Sequence, residues 1–207
     1  MKKRYGIILA ACMAAAVLTA CQGKETEQKP SSAVSEEVKS EAFEQTEENA
    51  GEKESGGVFE SFTAQDLDGN PVDESVFADA KLTMINVWGT FCTPCLEEMP
   101  ALAELNREYQ EKGVQIIGIC SDTMNADKEL DQDQVEKARE LAEQTGADYL
   151  HIAMSGTLMD TLLPQVMAVP MTIFVDSEGT QVGTAYMGAR DKEGWAEIME
   201  EVLASVQ

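Results

Sequence analysis

Residues 58–207 predict an α/β sandwich with a mixed central sheet. Three observations carry the prediction. Short apolar runs alternate with helical patterns, two late runs are joined by a tight turn that suits an antiparallel pair, and an amphipathic helix closes the chain. FTAQDLDGNPV (62–72) sets Asp68-Gly69-Asn70 turn chemistry between short apolar pieces and reads as an N-terminal hairpin extension. KLTMINVW (81–88) is an apolar run bounded by charge, the pattern of a strand buried on both faces. A helix is predicted from near Thr93, with Pro94 tolerated in its first turn, a kink at Pro100 and a stop at Gly113. VQIIGIC (114–120) is a second buried strand. DQVEKARELAEQTG (133–146) places Val135, Ala138, Leu141 and Ala142 on one helical face, with Gly146 as its stop. ADYLHIA supplies a third strand, and an irregular stretch follows. MTIFVD (171–176) and TQVGTAYM (180–187) flank Ser177-Glu178-Gly179 as a hairpin. Trp195, Ile198, Met199, Val202, Leu203 and Val206 then form one stripe of the last helix. No internal repeat is evident.

The first twenty residues stand apart. Lys2, Lys3 and Arg4 precede an apolar run from about Ile7 to Val17 and then small residues, the pattern of a secretory signal. The run is short for a retained span, which needs about 20 apolar residues. Leu18-Thr19-Ala20-Cys21 resembles the bacterial lipobox, which implies cleavage before Cys21 and lipid on that residue. The alternative is a plain cleaved signal with an incidental cysteine. Residues 21–57 then form an acidic linker: positions 22–57 hold ten Glu and four Lys with few large apolar groups, so disorder is expected. The expected organisation is signal peptide 1–20, lipidated Cys21 and linker 21–57, and folded domain 58–207.

Within 58–207 there are 28 acidic and 8 basic side chains. That balance argues against nucleic acid, whose phosphates reward Lys and Arg. It also disfavours direct contact with anionic headgroups, leaving the lipid as the membrane anchor. An exported domain sits where disulfides persist. Of the five cysteines, Cys12 leaves with the signal and Cys21 carries lipid, so Cys92, Cys95 and Cys120 remain for the domain.

VWGTFCTPCLEEMP (87–100) sets Cys92 and Cys95 between a buried strand and a helix. A structural zinc site usually wants four Cys or His ligands. The domain offers only Cys120 as a third sulfur and His151 as its single imidazole. A staple across a two-residue gap removes little unfolded-state entropy. Redox exchange explains the position best. At a helix N-terminus, free N–H groups and the helix dipole favour a Cys92 thiolate, and Cys95 lies one turn in, placed to resolve a mixed disulfide. A CxxC of this kind inside a βαβ unit is the thioredoxin-like signature.

FTAQDLDGNPV, INVWGTFCTPCLEEMP, VQIIGICSD and VPMTIFVDSEG occur in that order, and together they resemble the family of membrane-tethered extracytoplasmic thioredoxin-fold thiol-disulfide oxidoreductases containing TlpA and ResA. The resemblance covers nearly all of 58–207 and implies a thioredoxin-like three-layer sandwich. It implies Glu98, at the glutamate of a CxxCxxExP pattern, as the proton acceptor for Cys95. In thioredoxin a buried aspartate does this from the preceding strand, where this chain has Asn86. The alternative is a first-turn glutamate favouring the helix dipole. The resemblance also implies a cis bond at Val169-Pro170, offering Val169 backbone groups to a bound substrate. Trp88 and Phe91 are expected to form an apolar rim met by partners; the alternative is that they are core residues. Cys120 reads as a small buried hydrophobe, and His151 as structural.

Oxidants of this fold tend to carry His before the second cysteine; Pro94 stands there instead, and with the resemblance it points to a reductase of partner disulfides. The dipeptide Thr93-Pro94 departs from the family's commoner Gly-Pro and Glu-Pro. No cofactor beyond a redox-active Cys92–Cys95 disulfide, and no metal, is expected. The family implies a membrane electron donor resembling CcdA, with apocytochrome c or an extracellular methionine sulfoxide reductase as candidate clients. Three rivals are a disulfide-forming oxidase, a peroxiredoxin-type peroxidase and an SCO-like copper-delivery module. A peroxidase needs Thr three places before its cysteine, where Cys92 has Gly89 and Cys95 has Cys92. The copper module needs CxxxC and a distal His.

Overall fold

The computed structural model describes Gly57 and residues 59–206. The expected signal peptide, Cys21 and almost all of the linker lie outside the described residues. A two-stranded hairpin comes first, β1 (Thr63–Gln65) against β2 (Pro71–Asp73). The Asp66 carboxylate closes its turn by accepting the N–H groups of Asp68 and Asn70 at 2.9 and 2.8 Å, the Asx-turn chemistry that the local sequence announces.

The central sheet contains β3 (Leu82–Trp88), β4 (Val114–Cys120), β5 (Leu150–Ala153), β6 (Met171–Val175) and β7 (Gln181–Met187). Their spatial order is β5-β4-β3-β6-β7. β3, β4 and β5 run parallel, while β6 and β7 pair antiparallel, so the sheet is mixed as expected. All seven residues of β3 are buried. That is the consequence of a central strand covered on both faces.

Helices cover the two faces unequally. α1 (Thr93–Tyr109), α2 (Gln132–Thr145) and α4 (Lys192–Ser205) pack on one, joining Met84, Trp88, Ile116 and Phe174 to Met99, Leu102, Ala138, Trp195 and Met199. α3 (Gly156–Thr161) and the aromatic trio Phe59, Phe62 and Phe77 cover the other, against Ile85, Val87, Ile117 and Ile173. This is a three-layer α/β sandwich with an N-terminal hairpin. Pro100 lies inside α1 without ending it. Gly113 and Gly146 take left-handed φ values of 82° and 70° just beyond the ends of the two longer connections, where glycine alone avoids a Cβ penalty. The stretch read as irregular holds α3, a short helix opened by the Ser155 hydroxyl accepting the Leu158 N–H at 3.3 Å. Leu141, expected on the buried face of α2, is half-buried; Val135, Ala138 and Ala142 are buried. Among the described residues no helix is long and apolar enough to cross a membrane.

Candidate active site

β3 ends at Trp88, and the chain turns through Gly89–Cys92 into α1. Cys92 is the N-cap: its Sγ accepts the Cys95 N–H at 3.3 Å, and its carbonyl accepts the Leu96 N–H at 3.2 Å. A sulfur so placed faces the positive end of a seventeen-residue helix, which favours its thiolate. Cys92 and Cys95 form a disulfide with a Cα–Cα separation of 5.3 Å. Cys92 keeps 5% of its surface and Cys95 none, so an incoming group meets Cys92 first.

Glu98 lies three residues beyond Cys95, on the same side of α1. It is 4% exposed and fully engaged. Oε1 accepts from Asn86 Nδ2 at 2.9 Å; Oε2 accepts from Trp195 Nε1 at 2.9 Å and from the Arg190 N–H at 3.1 Å. Burial holds its carboxyl above the ordinary 4.5, against the pull of those donors from Trp195, Arg190 and Asn86. Asn86 also donates to Thr172 Oγ1 at 3.3 Å, across the β3–β6 pair in which the two residues are direct partners. The Arg190 guanidinium covers the Trp195 ring at 4.7 Å and donates to the carbonyls of Met187 and Gly188.

The same register places Pro170. Val87 pairs with Met171, so Pro170 falls opposite Trp88, level with the start of the Cys92 turn. The Val169–Pro170 peptide bond is cis; Pro170 is buried and Val169 half-exposed.

Trp88 corrects the sequence reading. It is fully buried and cannot form a rim. Alternation along β3 explains why: Asn86 and Trp88 share the face covered by α1, where the indole meets the His151 ring edge-on with centroids 5.5 Å apart. Phe91 is 69% exposed, and its ring lies over Gly89, whose Cβ would fall 2.7 Å from it. Cys120 is fully buried, its thiol donating to Asp122 Oδ1 at 3.3 Å; burial and that carboxylate push its pKa far up. His151 is buried and pushed down to about 4 by desolvation. Sequence reasoning missed Trp195, Arg190 and Thr172 as site residues. Trp195 was visible only as a member of an apolar stripe, and no local pattern links positions nearly one hundred residues apart. Among the described residues no group of three or more His, Cys, Asp or Glu side chains is placed to hold a metal ion.

A family model described as AhpC/TSA matches residues 56–194. The chain belongs to the AhpC/TSA family. A thiol-disulfide oxidoreductase ResA of Bacillus thuringiensis subsp. konkukian is 29% identical over 144 residues, spanning 69% of this chain and 75% of that protein. A thiol:disulfide interchange protein DsbE of Vibrio cholerae is 28% identical over 158 residues, 73% of this chain and 77% of that one. Among solved structures, a thioredoxin-family thiol:disulfide interchange protein from Chlorobium tepidum superposes with a TM-score of 0.56 at 19% identity, covering 69% of this chain and 93% of that chain. The last of these speaks for the thioredoxin-like fold alone. Relatives of this kind and the disulfide-forming CxxC pair make this AhpC/TSA member a ResA- and DsbE-like thiol-disulfide oxidoreductase with Cys92 and Cys95 as its redox pair.

Proposed function

We propose that this family member works as a reductase of partner-protein disulfides outside the cytoplasm, held to a bacterial membrane by lipid on Cys21. The observation that carries the reading is Glu98: a buried carboxyl three residues past Cys95 and held by Asn86, Trp195 and Arg190. The reduced Cys92 thiolate attacks one sulfur of a client disulfide. A Cys92–client bond forms, and the other client sulfur leaves as a thiolate that takes a proton from water. Cys95 then passes its proton to Glu98 and attacks Cys92 Sγ. The Cys92–Cys95 disulfide forms, the client's second thiolate departs, and two electrons have moved to the client.

Pro94 rather than His before Cys95 favours the reducing direction, because an imidazolium there would stabilise the reduced thiolate and make the pair an oxidant. Half-exposed Val169, whose backbone precedes buried Pro170 at the entry to β6, and exposed Phe91 supply the surface for the client. Recharging falls to a membrane electron donor of the CcdA kind, and the candidate clients are the disulfide of an apocytochrome c or that of an extracellular methionine sulfoxide reductase. The Cys92–Cys95 pair carries the two electrons in this reading. A redox titration of the full chain against glutathione tests the direction. A midpoint at or below about −200 mV supports a reductase, and one near the −120 mV of a strong oxidant such as DsbA overturns it. Cys95→Ser, which leaves the mixed disulfide unresolved, captures the client.

A further inference from the structure

A second polar cluster, separate from the Glu98 group, holds the turn that carries Cys92. Thr90, two residues before Cys92 and 6% exposed, donates its N–H to Asp122 Oδ1 at 3.0 Å and its hydroxyl to Asp122 Oδ2 at 2.6 Å. Both oxygens of one carboxylate are thus committed to one residue. Lys137 of α2 donates to the Thr90 hydroxyl oxygen at 2.9 Å, giving a Lys137–Thr90–Asp122 chain between three segments. The Cys120 thiol adds a weaker bond to Asp122 Oδ1. One residue earlier, Ser121 ties the same strand end by donating its N–H and its hydroxyl to the Trp88 carbonyl, each at 2.8 Å.

Core packing alone does not call for this arrangement. A half-buried carboxylate loses hydration, and hydrogen bonds to an ionised acceptor are the strong ones. Here they are spent on a turn containing Gly89, the residue type with most backbone freedom. We propose that Asp122 is a positioning residue for Cys92, acting through Thr90, with Lys137 closing the chain. Cys92 Sγ must stay on the α1 axis to accept the Cys95 N–H and still face a client. A displacement of about 1 Å at a reacting atom costs up to about a hundredfold in rate. The inference rests on the reading of Cys92 as the attacking sulfur.

The test uses reduced full-length protein and follows Cys92 by peptide mass, as its rate of alkylation by iodoacetamide across pH, a reaction that Cys95 cannot reverse. Thr90→Val keeps the shape and removes the hydroxyl; Asp122→Asn keeps one acceptor and removes the charge. Each is expected to slow Cys92 about tenfold and to move its pH profile, with the melting temperature nearly unchanged. Thr90→Ser is expected to restore the wild-type rate. A Cys92 rate and pH profile unchanged in Thr90→Val, whatever happens to melting, overturns the proposal. Should that variant fail to fold, Asp122→Asn takes its place: a slowed Cys92 with a moved profile supports the positioning role, and an unchanged one overturns it. A wild-type Cys92 no faster than a free peptide thiol overturns the attacking-sulfur reading instead, and the positioning role with it.

Discussion

Glu98 is a carboxyl whose charge the fold tolerates rather than favours. Its three donors stabilise the anion, yet burial outweighs them and holds its pKa above 4.5. A proton therefore binds the folded glutamate more tightly than the unfolded one. By linkage, stability from this group is fully present below the unfolded value and is lost as pH rises through the raised folded value. Glu98→Gln does not titrate. Its stability relative to wild type should climb across that window and level off above it, over any constant offset from altered hydrogen bonding. Urea unfolding at a series of pH values checks this, and a flat difference would remove the buried-acid account. The residue itself was legible in the sequence, because CxxCxxExP marks it. Its neighbours were not: Asn86 was visible as a residue that does not titrate, while Trp195 and Arg190 reach Glu98 from the far end of the chain.

Strand and helix order was largely legible, because buried runs, turn chemistry and stopping glycines are local signals. Asp176 repeats the Asp66 device, accepting the N–H groups of Glu178 and Thr180 at 2.9 Å in the second hairpin turn. α3 was not legible: six residues are too few for a helical period to declare itself. Trp88 was misread because nearness to Cys92 in sequence says nothing about which face of β3 its side chain takes. Gly118 marks another limit. It is the β4 residue between Asn86 on β3 and His151 on β5, and a Cβ there would lie 2.3 Å from His151 Nδ1 and 3.1 Å from Trp88 Nε1. No pattern in VQIIGIC distinguishes this glycine from a tolerated one. Gly118→Ala is expected to destabilise the protein by about 1–3 kcal/mol through overpacking. A denaturant midpoint equal to wild type would show that His151 moves aside freely.

Across the whole molecule, charge is the dominant surface property. With 28 acidic against 8 basic side chains in 58–207, cations are too few to pair the anions. The pairs that exist, such as Arg107–Asp148 at 2.6 Å and Lys192 with Glu104 and Glu108 at 2.8 and 2.6 Å, sit on the surface, where each contributes about 0–1 kcal/mol. Self-repulsion should then exceed local pairing. Adding monovalent salt, which shortens the Debye length to about 8 Å at 0.15 M, is expected to raise the melting temperature of the full chain. A fall in melting temperature with salt would show that the pairs matter more than the excess charge. The Glu98 cluster draws on α1, on β3 through Asn86, on the segment after β7 through Arg190, and on α4 through Trp195. Transplanting residues 89–95 onto a foreign scaffold would carry both sulfurs and leave Glu98 and its three donors behind. A useful graft would have to bring two distant stretches of chain, 86–98 and 190–195, in their original register.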